Sequence, residues 1–271
     1  MPPLQFRPFR DRFPPEMPTD PLFYLVGLTA VFIIGFGKGA FGGGLAIIGI
    51  PFLALVTSPV DAAIIIAIVA STTDIFAVQA FPMRTWSWPD LYWLAPAMVL
   101  GIALGTLFFV LVDPRILVLG IAVVTLLFTA RYFLRDRLRS RIAGAPVQPV
   151  KALVCGTLAG FTTFVAHSGA PPLAIYLLPR GLGKTIFAGT TVALLTFSNM
   201  FKIVPYIWFG LERKEAFWQA LPLLPAIPIG VWLGKKLHDR LDEQRLYFWC
   251  YILVGAAGLK LLADSVRQLL A

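Results

Sequence analysis

The chain has 271 residues, 58% hydrophobic and 14% charged, with a mean hydropathy of +0.79 and a formal net charge of +9. Soluble domains carry about 25% charged residues, whereas here charge is missing from whole blocks (21–37, 39–60, 91–112, 152–179 and 216–234). Membrane-crossing helices need roughly 20 mostly apolar residues, so an ordinary soluble domain is excluded; the basic excess sits in loops between such segments, which argues for membrane topology and against nucleic-acid binding.

Residues 1–20 are polar and proline-rich and lack the apolar run and small-residue cleavage site of a secretory leader. They read as a short tail. An apolar segment at about 21–36 follows, then a glycine-rich break at 37–44 and a second apolar segment at 45–56. Long helices are predicted at about 59–81, 90–111 and 115–134. This first unit, 21–134, is closed by a basic loop, 135–150; the surrounding stretch carries Arg131, Arg135, Arg137, Arg139, Arg141 and Lys151. The pattern is that of a cytoplasmic loop. The second unit, 151–271, repeats the plan: 151–165, a break at 166–172, 173–179, then 185–208, 215–234 and 245–263.

The repetition is visible residue by residue. A shift of 125 aligns Gly35-Phe36 with Gly160-Phe161, Gly44 with Gly169, Asp74 with Asn199, Asp90 with Glu215 and Trp93 with Trp218. After a four-residue insertion behind Trp218, a shift of 129 aligns Pro96 with Pro225, Gly101 with Gly230, Gly105 with Gly234 and Asp113 with Asp242. The fold expected is an all-α integral membrane protein of two homologous repeats, each a broken or re-entrant glycine-rich segment plus three transmembrane helices. If the broken pair returns to its starting side, the repeats are inverted, and 131–151 shares a side with the basic loop 235–245. If it crosses as one span, they are parallel. Loop charge favours inversion; Arg7, Arg10 and Arg12 in the tail point the other way.

The breaks are where chemistry is expected. Six of the residues 35–44 are glycine. Irregular backbone at membrane depth must be buried in protein or line a wet cavity, and a helix starting near Gly44 would aim amides and partial positive charge at an anion. Gly42, Gly43, Gly44 and Leu45 are the backbone donors predicted, with Lys38 adding charge. The competing reading is a small-residue packing face. At the second break His167, Ser168 and Gly169 stand in place of the three glycines; His167 serves either as an anion donor or proton carrier or as a neutral tie between helices. Pro171 and Pro172 suit a first helical turn.

Ionisable groups within a membrane are costly, and the default reading is functional. Asp74, after Ser71 and Thr72, is expected to carry a coupling proton or to neutralise Lys38 or Lys202. Asn199 is its counterpart, with Lys202 one turn beyond. For Lys38 and Lys202 the alternative is snorkelling to the interface. Cys155 and Cys250 read as packing residues; His238 is placed in a basic loop. No catalytic residues, metal ligands or cofactor motif are expected.

With GKGAFGGGLAIIGIP (37–51) at the first break and a related segment at the second, the duplicated chain resembles the sulfite exporter TauE/SafE family of membrane transporters over about residues 21–265. It departs at His167-Ser168-Gly169-Ala170-Pro171-Pro172, where many members carry more glycine. The resemblance implies transport of small, often sulfur-containing anions such as sulfite or organosulfonates, in the inner membrane of a bacterium. An exporter of a small anion is therefore expected, possessing lipid as its other partner and acting as a monomer or homodimer. An intramembrane enzyme using His167, Ser168 and Asp74, or an anion channel, is the alternative.

Overall fold

The structure is a computed structural model that describes residues 20–43, 59–108, 146–210 and 214–270, with short pieces between 52 and 57 and between 119 and 134. The described residues are helical, without strands: α1 (Pro21–Phe41), α2 (Pro59–Ala80), α3 (Trp88–Phe108), α4 (Pro149–Ala166), α5 (Ala170–Leu177), α6 (Lys184–Gly210), α7 (Lys214–Ala220), α8 (Ala226–Arg240) and α9 (Glu243–Leu270). Most of the predicted segments 45–56 and 115–134 and of the basic loop lies outside this set.

Among the described residues two helices, α1 and Trp88–Leu107 of α3, are long and apolar enough to cross a membrane; Glu215–Leu223 and Ala226–Arg240 qualify only as a pair, bent by 48°, the shape of a broken span or a re-entrant loop. The straight span expected at 215–234 is therefore corrected to two helices with a bend between them. Pro222 and Pro225 fall at the bend, where a short 3₁₀ turn (Leu221–Leu223) separates the two helices; each proline lacks the N–H that would continue the ladder. Outward-facing Leu25, Ile75, Tyr92, Met200 and Trp232 are 60–73% exposed, an apolar exterior unlike that of a soluble globule.

Asp20 caps α1, its carboxylate accepting from the Leu22 amide at 2.8 Å, and Pro21 occupies the first turn. The helix then runs without interruption to Phe41, so Gly37, Lys38 and Gly39 are helical and the break begins only at Gly42 (φ 81°). Glycine costs a helix about 1 kcal/mol per residue relative to alanine. Here the loss is offset by packing: a Cβ at Gly35 or Gly39 would strike the backbone of Ile227 or Val231, and one at Gly230 or Gly234 the backbone of Phe32 or Phe36. Residue numbers rise together along this contact, so α1 and α8 run in the same direction. The α3–α4 pair repeats the arrangement, with Gly101 against Thr157 and Gly160 against Met98. By contrast α2 and α6 are antiparallel. Asp74 reaches Thr196 and Asn199, while Thr85, just past α2, abuts Gly189.

Besides a small cluster of Ala77, Phe81, Ala188 and Val192, two large apolar cores form among the described residues. One gathers Val31, Ile34, Ile65, Ile66, Leu223 and Ile227. The other holds Leu94, Met98, Leu173, Tyr176, Leu177 and Leu194, together with Cys155 and Cys250, which are free and buried. His238 is not in a loop. It is fully buried at the end of α8, Nδ1 donating to the Ala40 carbonyl at 2.9 Å and Nε2 lying 3.3 Å from the Thr185 hydroxyl.

Candidate functional site

The last turns of α1 carry Lys38 inward, where it is 6% exposed and forms an ion pair with Asp74 of α2. Neither it nor Lys202 (3% exposed) snorkels. The Asp74 carboxylate is held from the other side by α6: the Thr196 hydroxyl donates to Oδ1 at 2.9 Å and the Asn199 amide to Oδ2 at 2.7 Å. One turn further along α6, Lys202 donates to the carbonyl (3.2 Å) and hydroxyl (3.1 Å) of Thr163. Thr163 lies in the last turn of α4, so a cation meets the negative end of that helix.

At the end of α4 the chain turns sharply. His167 takes the left-handed conformation (φ 49°, ψ 29°), rare outside glycine, and the amides of His167 and Ser168 both point back to the Thr162 carbonyl. The turn leaves the Ser168 hydroxyl enclosed and without a hydrogen bond among the described residues. Buried polar atoms are nearly always partnered, and a bare hydroxyl of this kind is a donor in reserve. Pro171 and Pro172 in the first turn of α5 present no N–H, so side chains rather than a row of helix amides supply the donors at this break.

These groups surround one cavity. Lys38, Gly43, Thr163, His167, Ser168, Asn199 and Lys202 line it, with Ile34, Ala70, Ala170, Pro171 and Leu195 completing the wall. Its volume is about 40 Å³, room for roughly three waters or one compact oxyanion, a water needing about 10–15 Å³ on this measure. Asp74 sits behind Lys38 and Asn199, off the wall. Among the described residues, two lysines against one carboxylate leave the centre with a formal excess of one positive charge.

The other expected residues are placed differently. Ser71 and Thr72 bond back to the carbonyls of Ala67 and Ile68, both at 2.9 Å, and do not reach the cavity. Gly42 packs on Ala188 of α6 and Gly169 on Thr163; Gly44 and Leu45 lie outside the described residues. Thr196 and Thr163 escape a reading centred on ionisable groups, although a shift of 125 sets them opposite Ser71 and Lys38. A second buried ionic cluster is also absent from that reading. Asp90 at the start of α3 accepts from Ser87 (2.6 Å), Tyr176 (2.8 Å) and both Nε (2.9 Å) and Nη2 (3.2 Å) of Arg180. It ties the far end of α5 to α3.

The family model described as Sulfite exporter TauE/SafE matches residues 27–261. No curated protein and no solved structure matches the chain.

Proposed function

The chain belongs to the sulfite exporter TauE/SafE family and is a membrane transporter, not an enzyme; from that premise we propose that it exports a small anion, sulfite or a related sulfur-containing anion, through the cavity between α1, α2, α4, α5 and α6. The observation that carries this reading is the charge excess. A buried cavity walled by Lys38 and Lys202, with a single carboxylate behind it and the Ser168 hydroxyl unused, is incomplete without a negative ligand. Its size suits a compact oxyanion. The protein would lie in a bacterial inner membrane and cross it several times.

The two halves are proposed to be inverted repeats. Support comes from contacts that obey the same offsets as the sequence: Gly35 on Ile227 matches Gly160 on Met98, and Gly230 on Phe32 matches Gly101 on Thr157. Further support comes from direction. The counterparts α2 and α6 are antiparallel, as a two-fold axis in the membrane plane requires and one along the membrane normal forbids. The counterparts Asp74 and Asn199 hydrogen-bond to each other; an axis passing between them would have the cavity beside it.

Proton coupling is assigned to Asp74, with His167 on the wall as the other carrier. A proton on Asp74 would release Lys38 toward the cavity, so that anion and proton bind together. Flux of radiolabelled sulfite from proteoliposomes, with and without a pH gradient, tests both parts. Lys202→Met is expected to stop the flux, and Asp74→Asn to abolish its response to the gradient. Wild-type flux in Lys202→Met would overturn the site, and an intact gradient response in Asp74→Asn the coupling.

A further inference from the structure

Lys38, Lys202, His167 and Ser168 line the charged cavity, but Asp74, which fixes its net charge, does not. The carboxylate is held unequally among the described residues: Oδ1 accepts from Lys38 and from the Thr196 hydroxyl at 2.9 Å, Oδ2 from the Asn199 amide alone at 2.7 Å. Oδ2 is therefore the oxygen with room for a proton. Asn199 suits both states of its partner, because an amide turned over offers its carbonyl to a protonated carboxyl in place of the NH2 it gives a charged one. The ionisable groups set around Asp74 are Lys38 from α1, Lys202 from α6 and His167 from the turn after α4; on α2 itself the hydroxyls of Ser71, Thr72 and Thr73 are spent on helix carbonyls. Ionised, Asp74 leaves the two lysines with a formal excess of one positive charge; protonated, it leaves two. The residue thus sets the charge of the cavity without touching what occupies it.

We propose that the site is a charge filter admitting one net negative charge at a time: a singly charged oxyanion enters alone, and a doubly charged one only together with a proton on Asp74. The inference rests on the anion reading above and adds to it how the site tells apart anions of one size and shape. A second negative charge left unpaired in a buried site is costly. Taking up a proton turns that cost into a dependence on pH. Where Asp74 is ionised in the free protein, affinity for a doubly charged ion falls about tenfold for each unit of rising pH, while that for a singly charged ion stays level. Sulfite escapes the penalty near neutral pH, because it can bring the proton itself as hydrogensulfite. Sulfate stays doubly charged there and cannot.

The test is titration calorimetry of the purified full-length chain with perchlorate and sulfate, which share a tetrahedral shape and differ in charge. Alkaline buffers of differing ionisation enthalpy count the protons taken up. Chlorate and sulfite repeat the comparison with one oxygen fewer. Perchlorate and chlorate are expected to bind with no proton and with an affinity that pH does not change. Sulfate and sulfite are expected to bind with one proton each and to lose about tenfold in affinity per pH unit. Asp74→Asn, with its excess fixed at two charges, should bind sulfate with no proton and reverse the ranking. Weaker hydration of the chlorine oxyanions cannot produce that reversal, since it favours them in both proteins. Adding Lys38→Met to Asp74→Asn returns the excess to one and should restore perchlorate over sulfate, at lower affinity. Sulfate that binds the wild-type chain as tightly as perchlorate and without a proton would overturn the filter while leaving the anion site standing; this proton count decides even where Asp74→Asn does not fold. An unchanged ranking in folded Asp74→Asn would do the same. Failure of all four ions to bind would overturn both.

Discussion

Among the described residues two buried ionic centres are built on opposite terms. Around Asp90, four donor groups from Ser87, Tyr176 and Arg180 surround two carboxylate oxygens, and charge sums to zero. Around Asp74, two lysines share the neighbourhood of one carboxylate, a hydroxyl is left over, and a cavity adjoins. The first centre is complete within the protein. It acts as a strut, fixing the outer end of α5 while the inner end forms the cavity wall. Among the described residues, the second keeps one formal positive charge more than its carboxylate balances. Burial of charge alone does not mark a site; burial of charge whose sum and donor count do not close does.

Breaking the closed centre should have the largest effect. Asp90→Ala strands Arg180 in a buried position and is expected to destabilise by about 3–5 kcal/mol, read as a large loss of melting temperature in detergent and of folded yield, with substrate affinity unchanged in what survives. Next comes Lys38→Met, which leaves the Asp74 carboxylate without its counter-charge. The cost should fall at the lower end of the same range, because Thr196 and Asn199 still donate to that carboxylate. Adding Asp74→Asn should restore most of the stability and none of the flux; a double variant as unstable as the single would show that the ion pair is not the unit. Lys202→Met separates the two centres most sharply. A hydrogen bond to a charged group is worth about 1.5–3 kcal/mol, so anion affinity should drop roughly 10- to 150-fold while the melting temperature moves far less than in Asp90→Ala. The smallest effect is expected for Ser168→Ala. Loss of one neutral donor, about 1 kcal/mol, should weaken anion binding about fivefold in a titration and leave stability nearly untouched.

Much of the open centre is legible in the chain because its members are rare there. Lys38, Asp74, His167 and Lys202 stand out against apolar surroundings, and the repeat offset points to Ser168 and Asn199; five of these six line one cavity and the sixth lies directly behind it. The closed centre is less legible, since Asp90 and Arg180 flank apolar blocks where charge is unremarkable, and only the return of α5 brings them together. Glycine is the most misleading residue. Gly35 to Gly39 carry the signature of a break yet are helical, because close contact with α8 offsets their poor propensity; the same residue type does break the chain at Gly42 and Gly43, where φ is positive. Local sequence holds no hint of which glycine faces a neighbour. His238 fails for a related reason: its lysine and arginine neighbours face outward, while its own side of α8 turns toward Ala40 and Thr185.

The hydrogen bond between Asp74 and Asn199 has a bearing on how such a chain arose. Under the proposed two-fold axis, a residue at this position in an ancestral dimer of identical single units would meet its own copy. Two aspartates would bring carboxylates within hydrogen-bonding range, and one would have to hold a proton; two asparagines would leave a buried lysine with no counter-charge. The mixed pair escapes both difficulties, but it requires the two positions to be encoded separately. Fusion of duplicated genes supplies that freedom: it permits one acid, one amide and one cationic excess at a place where strict symmetry would demand like meeting like.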